Sequence, residues 1–107
     1  MNLHNKPYQM IKTKQKTVEL RLNDEKRRLI KKGDTIIFTN NETNETLNVI
    51  VLNIKRYHDF NELYNNYSKE SIGYKSNELA DPKDMLLYYT QAQVNTYGVL
   101  AIEISLN

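Results

Sequence analysis

The chain has no cysteine and no tryptophan, and among its 107 residues are only three glycines and two prolines. Without thiols there can be no disulfide framework, thiolate metal centre or cysteine nucleophile, and a reducing cytoplasm is the expected compartment. Glycine and proline are too sparse for a disordered linker. There is no glycine-rich phosphate loop, and Gly33 reads as a turn ahead of a strand. No stretch approaches the ~18 apolar residues of a membrane span, and the opening Met1-Asn2-Leu3-His4-Asn5-Lys6-Pro7 lacks the apolar core of a signal peptide, so a soluble protein without a membrane partner is expected. Histidine is scarce as well. His4 falls in what reads as a loose terminus and His58 beside a helix cap, with no second histidine at ligand spacing, so neither a metal nor a cofactor is expected. Ser68, Ser71, Ser76 and Ser105 stand in no GxSxG setting.

What is present fits one folded domain, residues 1–107, with 39% hydrophobic residues. The net charge is only +2, but it is unevenly placed: residues 1–32 hold ten Lys or Arg against three acids, and the remainder five against ten. Lys26, Arg27, Arg28, Lys31 and Lys32 crowd one short segment. Such a cluster neutralises phosphates and draws in a polyanion, or else it is a solvated turn.

The periodicities give an alternation of short elements. Pro7 suits the first turn of a helix over 7–13 carrying Tyr8, Met10 and Ile11. A strand over 17–22 follows, then a helical turn in the basic segment, then a hairpin with strands at about 34–39 and 46–56 across the polar turn Asn40 to Glu45. Asp59 with Glu62 reads as a capping box for a helix bearing Phe60, Leu63 and Tyr64. Residues 67–80 read as an irregular loop suited to a site. Asp81-Pro82 opens a third helix with Met85, Leu86, Tyr88 and Tyr89, and Thr90 caps a turn at 91–94. A last strand over 97–106 is buried on both faces and then alternates. Four strands with short helices predict an α+β domain around a small mixed β-barrel.

The run Lys14-Gln15-Lys16-Thr17-Val18-Glu19-Leu20-Arg21 carries the densest chemistry. On a strand, Val18, Leu20 and Leu22 take one face and Thr17, Glu19 and Arg21 the other. Lys16 has the apolar parity, so it joins Glu19 and Arg21 only if the chain is still turning as it passes. A solvated Glu–Arg pair two residues apart would contribute at most ~1 kcal/mol. The three charges resemble the GxKxxExR signature of the ASCH domain, a branch of the PUA-like superfamily, with Lys16, Glu19 and Arg21 at its charged positions. Ile30-Lys31-Lys32-Gly33-Asp34-Thr35-Ile36-Ile37-Phe38, Tyr57 to Leu63 and the closing Tyr97 to Ile104 extend the resemblance over nearly the whole chain. It implies a PUA-like mixed β-barrel with short flanking helices, and an RNA or nucleotide ligand in a cleft lined by the signature residues. Lys14 stands where the signature has glycine, a residue that would ease a left-handed turn.

For binding, Arg21 offers a planar fork of donors, Lys16 a point charge and Glu19 an acceptor for a cytosine-type amino group. A base would stack on Tyr57, Tyr74, Tyr88 or Tyr89 for ~1–3 kcal/mol. Tyr88 and Tyr89 are adjacent and cannot face the same way. One branch similar in fold consists of N(4)-acetylcytidine amidohydrolases, using the signature lysine, a threonine and a later glutamate. That resemblance carries Lys16 onto the lysine but puts Glu19 at the threonine, leaving Thr17 as a substitute hydroxyl and Glu70 as a loose counterpart of the glutamate. A hydrolase would then use Glu19 to activate water and Lys16 or Arg21 to stabilise the oxyanion. A third reading is a protein-interaction domain in which the cluster is structural.

Overall fold

A computed structural model describes residues 1–107. Five strands form one mixed sheet in the order β1-β3-β4-β5-β2. They are β1 (Asn2–Leu3), β2 (Val18–Leu22), β3 (Thr35–Asn40), β4 (Thr46–Tyr57) and β5 (Val99–Leu106), accompanied by helices α1 (Asn5–Lys12), α2 (Phe60–Tyr64) and α3 (Gln91–Tyr97). The long β4 makes the sheet curl. Its first residues pair with β3 and its remainder with β5, and a bulge between Val51 and Asn53 bends it where the partners change. The result is a half-barrel whose free edges are β1 and β2.

The two faces of the sheet hold separate cores. Inside the curl lie Leu3, Tyr8, Ile11, Ile36, Phe38, Val49, Val51, Leu100, Ile102 and Ile104. Outside it, Val18, Leu20, Leu22, Val99 and Ala101 pack against Phe60, Leu63, Ile72 and Val94 from α2, the following loop and α3. β5, whose first four residues are all buried, separates the two layers, as its unbroken apolar run predicts.

Capping chemistry sets the helix boundaries. The Asp59 carboxylate accepts the Glu62 N–H at 2.9 Å. Thr90 and Gln93 form a reciprocal box that starts α3, which runs to Tyr97 rather than stopping at 94. Gly98 ends it at φ +71°, where an added Cβ would lie 2.9 Å from the Tyr57 carbonyl oxygen.

Three sequence expectations are corrected. The sheet has five strands rather than four, because β1 is too short to show any alternation; Thr39 and Asn41 donate to the Met1 and Leu3 carbonyls at 2.8 Å and tie it to β3 in parallel. His4 therefore lies between β1 and α1 rather than in a loose terminus. Pro82–Leu87 forms a 3-10 helix instead of an α-helix. Met85 to Tyr89 are consecutive apolar or aromatic residues without a helical stripe, and Leu86, Leu87 and Tyr88 stay exposed.

Candidate functional site: a charged pocket at the seam of the sheet

Lys16 reaches the site because the chain turns sharply after α1. Thr13 caps the helix, and Lys14 follows at φ +69°, the left-handed conformation that the sequence raised at this position. The Lys14 N–H donates to the Ile11 carbonyl and the Lys16 N–H to the Met10 carbonyl, both at 3.0 Å. A side chain in this conformation costs about 1–2 kcal/mol. The turn is also pinned to the loop after α2: Thr17 and Val18 donate to the Ser71 carbonyl at 2.9 and 3.1 Å, and Gln15 Nε2 donates to the Tyr74 carbonyl at 3.1 Å. Gly73 of that loop adopts φ +112°, and a Cβ there would sit 3.3 Å from Lys16 Cδ, so the loop can press directly on the lysine stem.

Glu19 and Arg21 share a face of β2, as parity predicts, but that face points inward. Across the ladder, Glu19 stands opposite Ile102 and Arg21 opposite Leu100, both members of the inner core. Three charges are thus assembled at the rim of an apolar core. Lys16 Nζ lies 2.9 Å from Glu19 Oε1, Arg21 Nη2 lies 2.7 Å from Glu19 Oε2, and Arg21 Nε donates to the same oxygen at 2.8 Å. The side chains are only 10%, 4% and 14% exposed for Lys16, Glu19 and Arg21.

Burial alone would push the Glu19 carboxyl up, but the adjoining Lys16 and Arg21 charges outweigh it and hold the group below the ordinary carboxylate value. Burial likewise opposes the charge on Arg21, and the Glu19 carboxylate, with a smaller contribution from Tyr89, more than offsets it. The arginine also spans the open seam of the half-barrel: Nη2 donates to the Asn2 carbonyl on β1 at 3.1 Å.

A pocket of about 190 Å³ opens at this seam. Asn2 and His4 form its β1 side, and Lys16, Glu19, Leu20 and Arg21 its β2 side, while Ile72, Met85, Tyr88 and Tyr89 come from the outer layer. Tyr88 is a largely exposed rim residue whose ring lies 6.4 Å from that of His4. Tyr89 is half-buried and stacks on Phe60 at 6.1 Å and 15°. The adjacent tyrosines diverge, one to the rim and one to the wall.

Other candidates lie elsewhere. Tyr57 packs edge-on against Tyr67 in the outer core, outside the pocket lining. The Tyr74 hydroxyl donates to Asp84 Oδ2 at 2.7 Å and lies 2.9 Å from that of Tyr64, so this ring is tied into the outer layer. Thr17 is exposed and borders a different hollow with Lys14 and Ser105. Glu70 lies outside the pocket lining, its carbonyl 3.5 Å from Gln15 Nε2. Sequence reasoning missed the rest of the lining, among it Asn2, His4 and Met85, which only the topology brings to β2, and Leu20 on β2 itself.

The basic segment is a 3-10 turn, Arg27–Leu29, with its flanks. Arg27 is committed to Asp24 at 2.7 Å and Arg28 donates to the Asn23 carbonyl at 3.2 Å, whereas Lys26, Lys31 and Lys32 are exposed with no carboxylate in ion-pair range. Burial, then the Arg21, Lys26 and Arg27 charges, depress the pKa of the N-terminal ammonium beside Asn2, with the Glu19 carboxylate opposing them.

A family model for the ASCH domain matches residues 1–106. The chain belongs to the ASCH domain family. Two solved structures share its fold along nearly their whole length. One is the hypothetical protein PH0355, at 33% identity and a TM-score of 0.84, covering 100% of this chain and 96% of that one. The other is protein PF0455 from Pyrococcus furiosus, at 31% identity and a TM-score of 0.74, covering 99% and 94%. No curated protein matches. The half-barrel described above is the ASCH form of the PUA-like fold, and none of its helices is long and apolar enough to cross a membrane.

Proposed function

We propose that this ASCH domain binds a nucleotide unit of RNA in the seam pocket, with Lys16 and Arg21 supplying charge and donors and Tyr88 and Tyr89 supplying flat surface. ASCH domains are generally thought to bind RNA. The observation that carries the reading is that a nearly dry Lys–Glu–Arg cluster opens into the same pocket as two tyrosines. Charge of that kind, desolvated and fixed in geometry, suits recognition of a planar, anionic ligand. The exposed lysines of the basic segment add a long-range pull on the polyanion.

Calorimetric titration with single-stranded RNA oligomers and with the four nucleoside 5′-monophosphates tests the reading. Binding that weakens with salt, and that Arg21→Ala reduces at least tenfold in a protein that stays folded, is the expected result. Saturating RNA without any measurable heat or shift in thermal stability would remove it.

The hydrolase alternative gains no specific support. A carboxylate with both oxygens engaged by cations is a poor base for water, and Thr17 lies outside the pocket. No acetate release from N(4)-acetylcytidine is expected, and turnover abolished by Glu19→Gln would reverse this.

A further inference from the structure

The pocket wall formed by β2 carries an unsatisfied pair of hydrogen-bonding groups on the main chain. As an edge strand, β2 has β5 as its one neighbour. At the ends of their ladder, Asn23 N–H donates to the Gly98 carbonyl at 3.0 Å and Ile104 N–H to the Thr17 carbonyl at 2.9 Å, which fixes the phase of the antiparallel pairing. Bonded pairs recur at every second residue, so Glu19 with Ile102 and Arg21 with Leu100 exchange the intervening bonds. Val18, Leu20 and Leu22 therefore direct their N–H and C=O groups away from β5.

Ser71 already accepts the Val18 N–H, and Leu22 lies outside the pocket. Leu20 lines the pocket at 6% exposure, and its N–H and C=O have no protein partner. A buried main-chain donor and acceptor left without partners is rare, and it is costly unless water or a ligand satisfies both.

In an extended strand the N–H and C=O of one residue point the same way, which lets that residue exchange two bonds with a single partner. We propose that the Leu20 N–H and C=O read the edge of a nucleobase, the N–H donating to a base acceptor and the C=O accepting from the neighbouring base donor. The inference rests on the nucleotide reading of the pocket and names the atoms that would hold the base. Every base carries a donor beside an acceptor on its pairing edge.

An extended peptide carries the same pair, but strand addition needs several free residues in a row. Here Ser71 closes the edge on one side of Leu20, and on the other the Arg21 guanidinium crosses to the Asn2 carbonyl. Leu22, whose main-chain pair is also unpartnered, lies outside the pocket lining, so the opening within the pocket is one residue long, beside the rings of Tyr88 and Tyr89. That length suits a base and is too short for a strand.

The experiment is an NMR titration of the full ¹⁵N-labelled chain with the four nucleoside 5′-monophosphates. Each is compared with its base-methylated counterpart: N3-methyl-UMP, N4,N4-dimethyl-CMP, N6,N6-dimethyl-AMP and N1-methyl-GMP. With any unmodified nucleotide that binds, the Leu20 amide signal should shift and its hydrogen exchange slow at least tenfold, while Val18 exchange stays unchanged. The methylated partner should bind at least tenfold more weakly. If nucleotides move the Arg21 Nε–H signal but leave the Leu20 amide unmoved, and the methylated forms bind as well as the parents, main-chain readout is wrong and the nucleotide pocket stands. If no nucleotide moves either signal, both fall. Slowed exchange at Leu20 and Leu22 together on adding an extended oligopeptide, with none from nucleotides, would replace base readout by strand addition.

Discussion

Two cationic regions of this domain are built in opposite ways. In the first, Lys16 and Arg21 are nearly dry, share one buried carboxylate, and are held by a left-handed turn, a pinned loop and a strand. In the second, Lys26, Lys31 and Lys32 stand in solvent on the two flanks of a 3-10 turn. The triad and its carboxylate have a net charge smaller than that of the exposed segment, yet its energies are larger. Removing a partner from a buried pair leaves charge stranded in low dielectric, whereas an exposed lysine is screened within about 10 Å at ordinary salt. The contrast is between charges whose geometry is fixed and charges of which only the sum counts.

The largest break in that contrast should come from Glu19→Ala, which strands two cations. A loss of about 3–5 kcal/mol is expected, a large share of the ~5–15 kcal/mol that holds a domain together. Urea unfolding measures it, and a loss under 1 kcal/mol would mean that the pocket is wetter than its geometry implies. The same carboxyl sets a pH dependence. Its pKa is depressed from 4.5 in the fold, so the native state binds fewer protons than the unfolded chain as acid is added. Its stabilisation is therefore complete above 4.5 and lost as pH falls through the lower native value. Glu19→Gln should flatten that part of the acid-stability curve.

A smaller effect is expected from Arg21→Lys, which keeps the charge but loses the fork that holds Glu19 and Asn2 together. Stability should fall by about 1–2 kcal/mol, and nucleotide affinity with it. An unchanged denaturation midpoint would show that point charge suffices. Reversing Lys26, Lys31 and Lys32 to Glu should leave stability within about 0.5 kcal/mol and flatten the salt dependence of RNA binding. If the triple variant unfolds instead, the segment is structural rather than a field. The smallest change is Lys14→Gly, which should relieve backbone strain and raise stability by up to about 1 kcal/mol, read as a shift in the urea midpoint.

Much of this was legible in the chain. The hairpin, the Asp59 and Thr90 caps and the closing strand follow from local patterns that the packing reinforces. Glu19 and Arg21 could be singled out because charge on alternate residues of an apolar strand is conspicuous, and the ASCH signature added Lys16, whose parity is the apolar one. Parity did not tell that their face was the inner one. That depends on which side of β5 the strand docks, and Leu20 on the opposite face is equally apolar. Nor could it rank the tyrosines. Tyr57, Tyr74, Tyr88 and Tyr89 have the same chemistry, and only the course of the loop between α2 and the 3-10 helix sends two of them to the pocket. β1 was illegible because two residues carry no period.

The brevity of β1 has a mechanical consequence. A two-residue strand contributes few rungs to its sheet, so one wall of the pocket is the most lightly fastened part of the curl. The guanidinium that crosses from Arg21 to Asn2 acts as a clasp on that wall. Because the clasp also faces the cavity, a guest that took the Nη2 hydrogens would compete with the fastening, and occupancy and the width of the mouth would become a single variable.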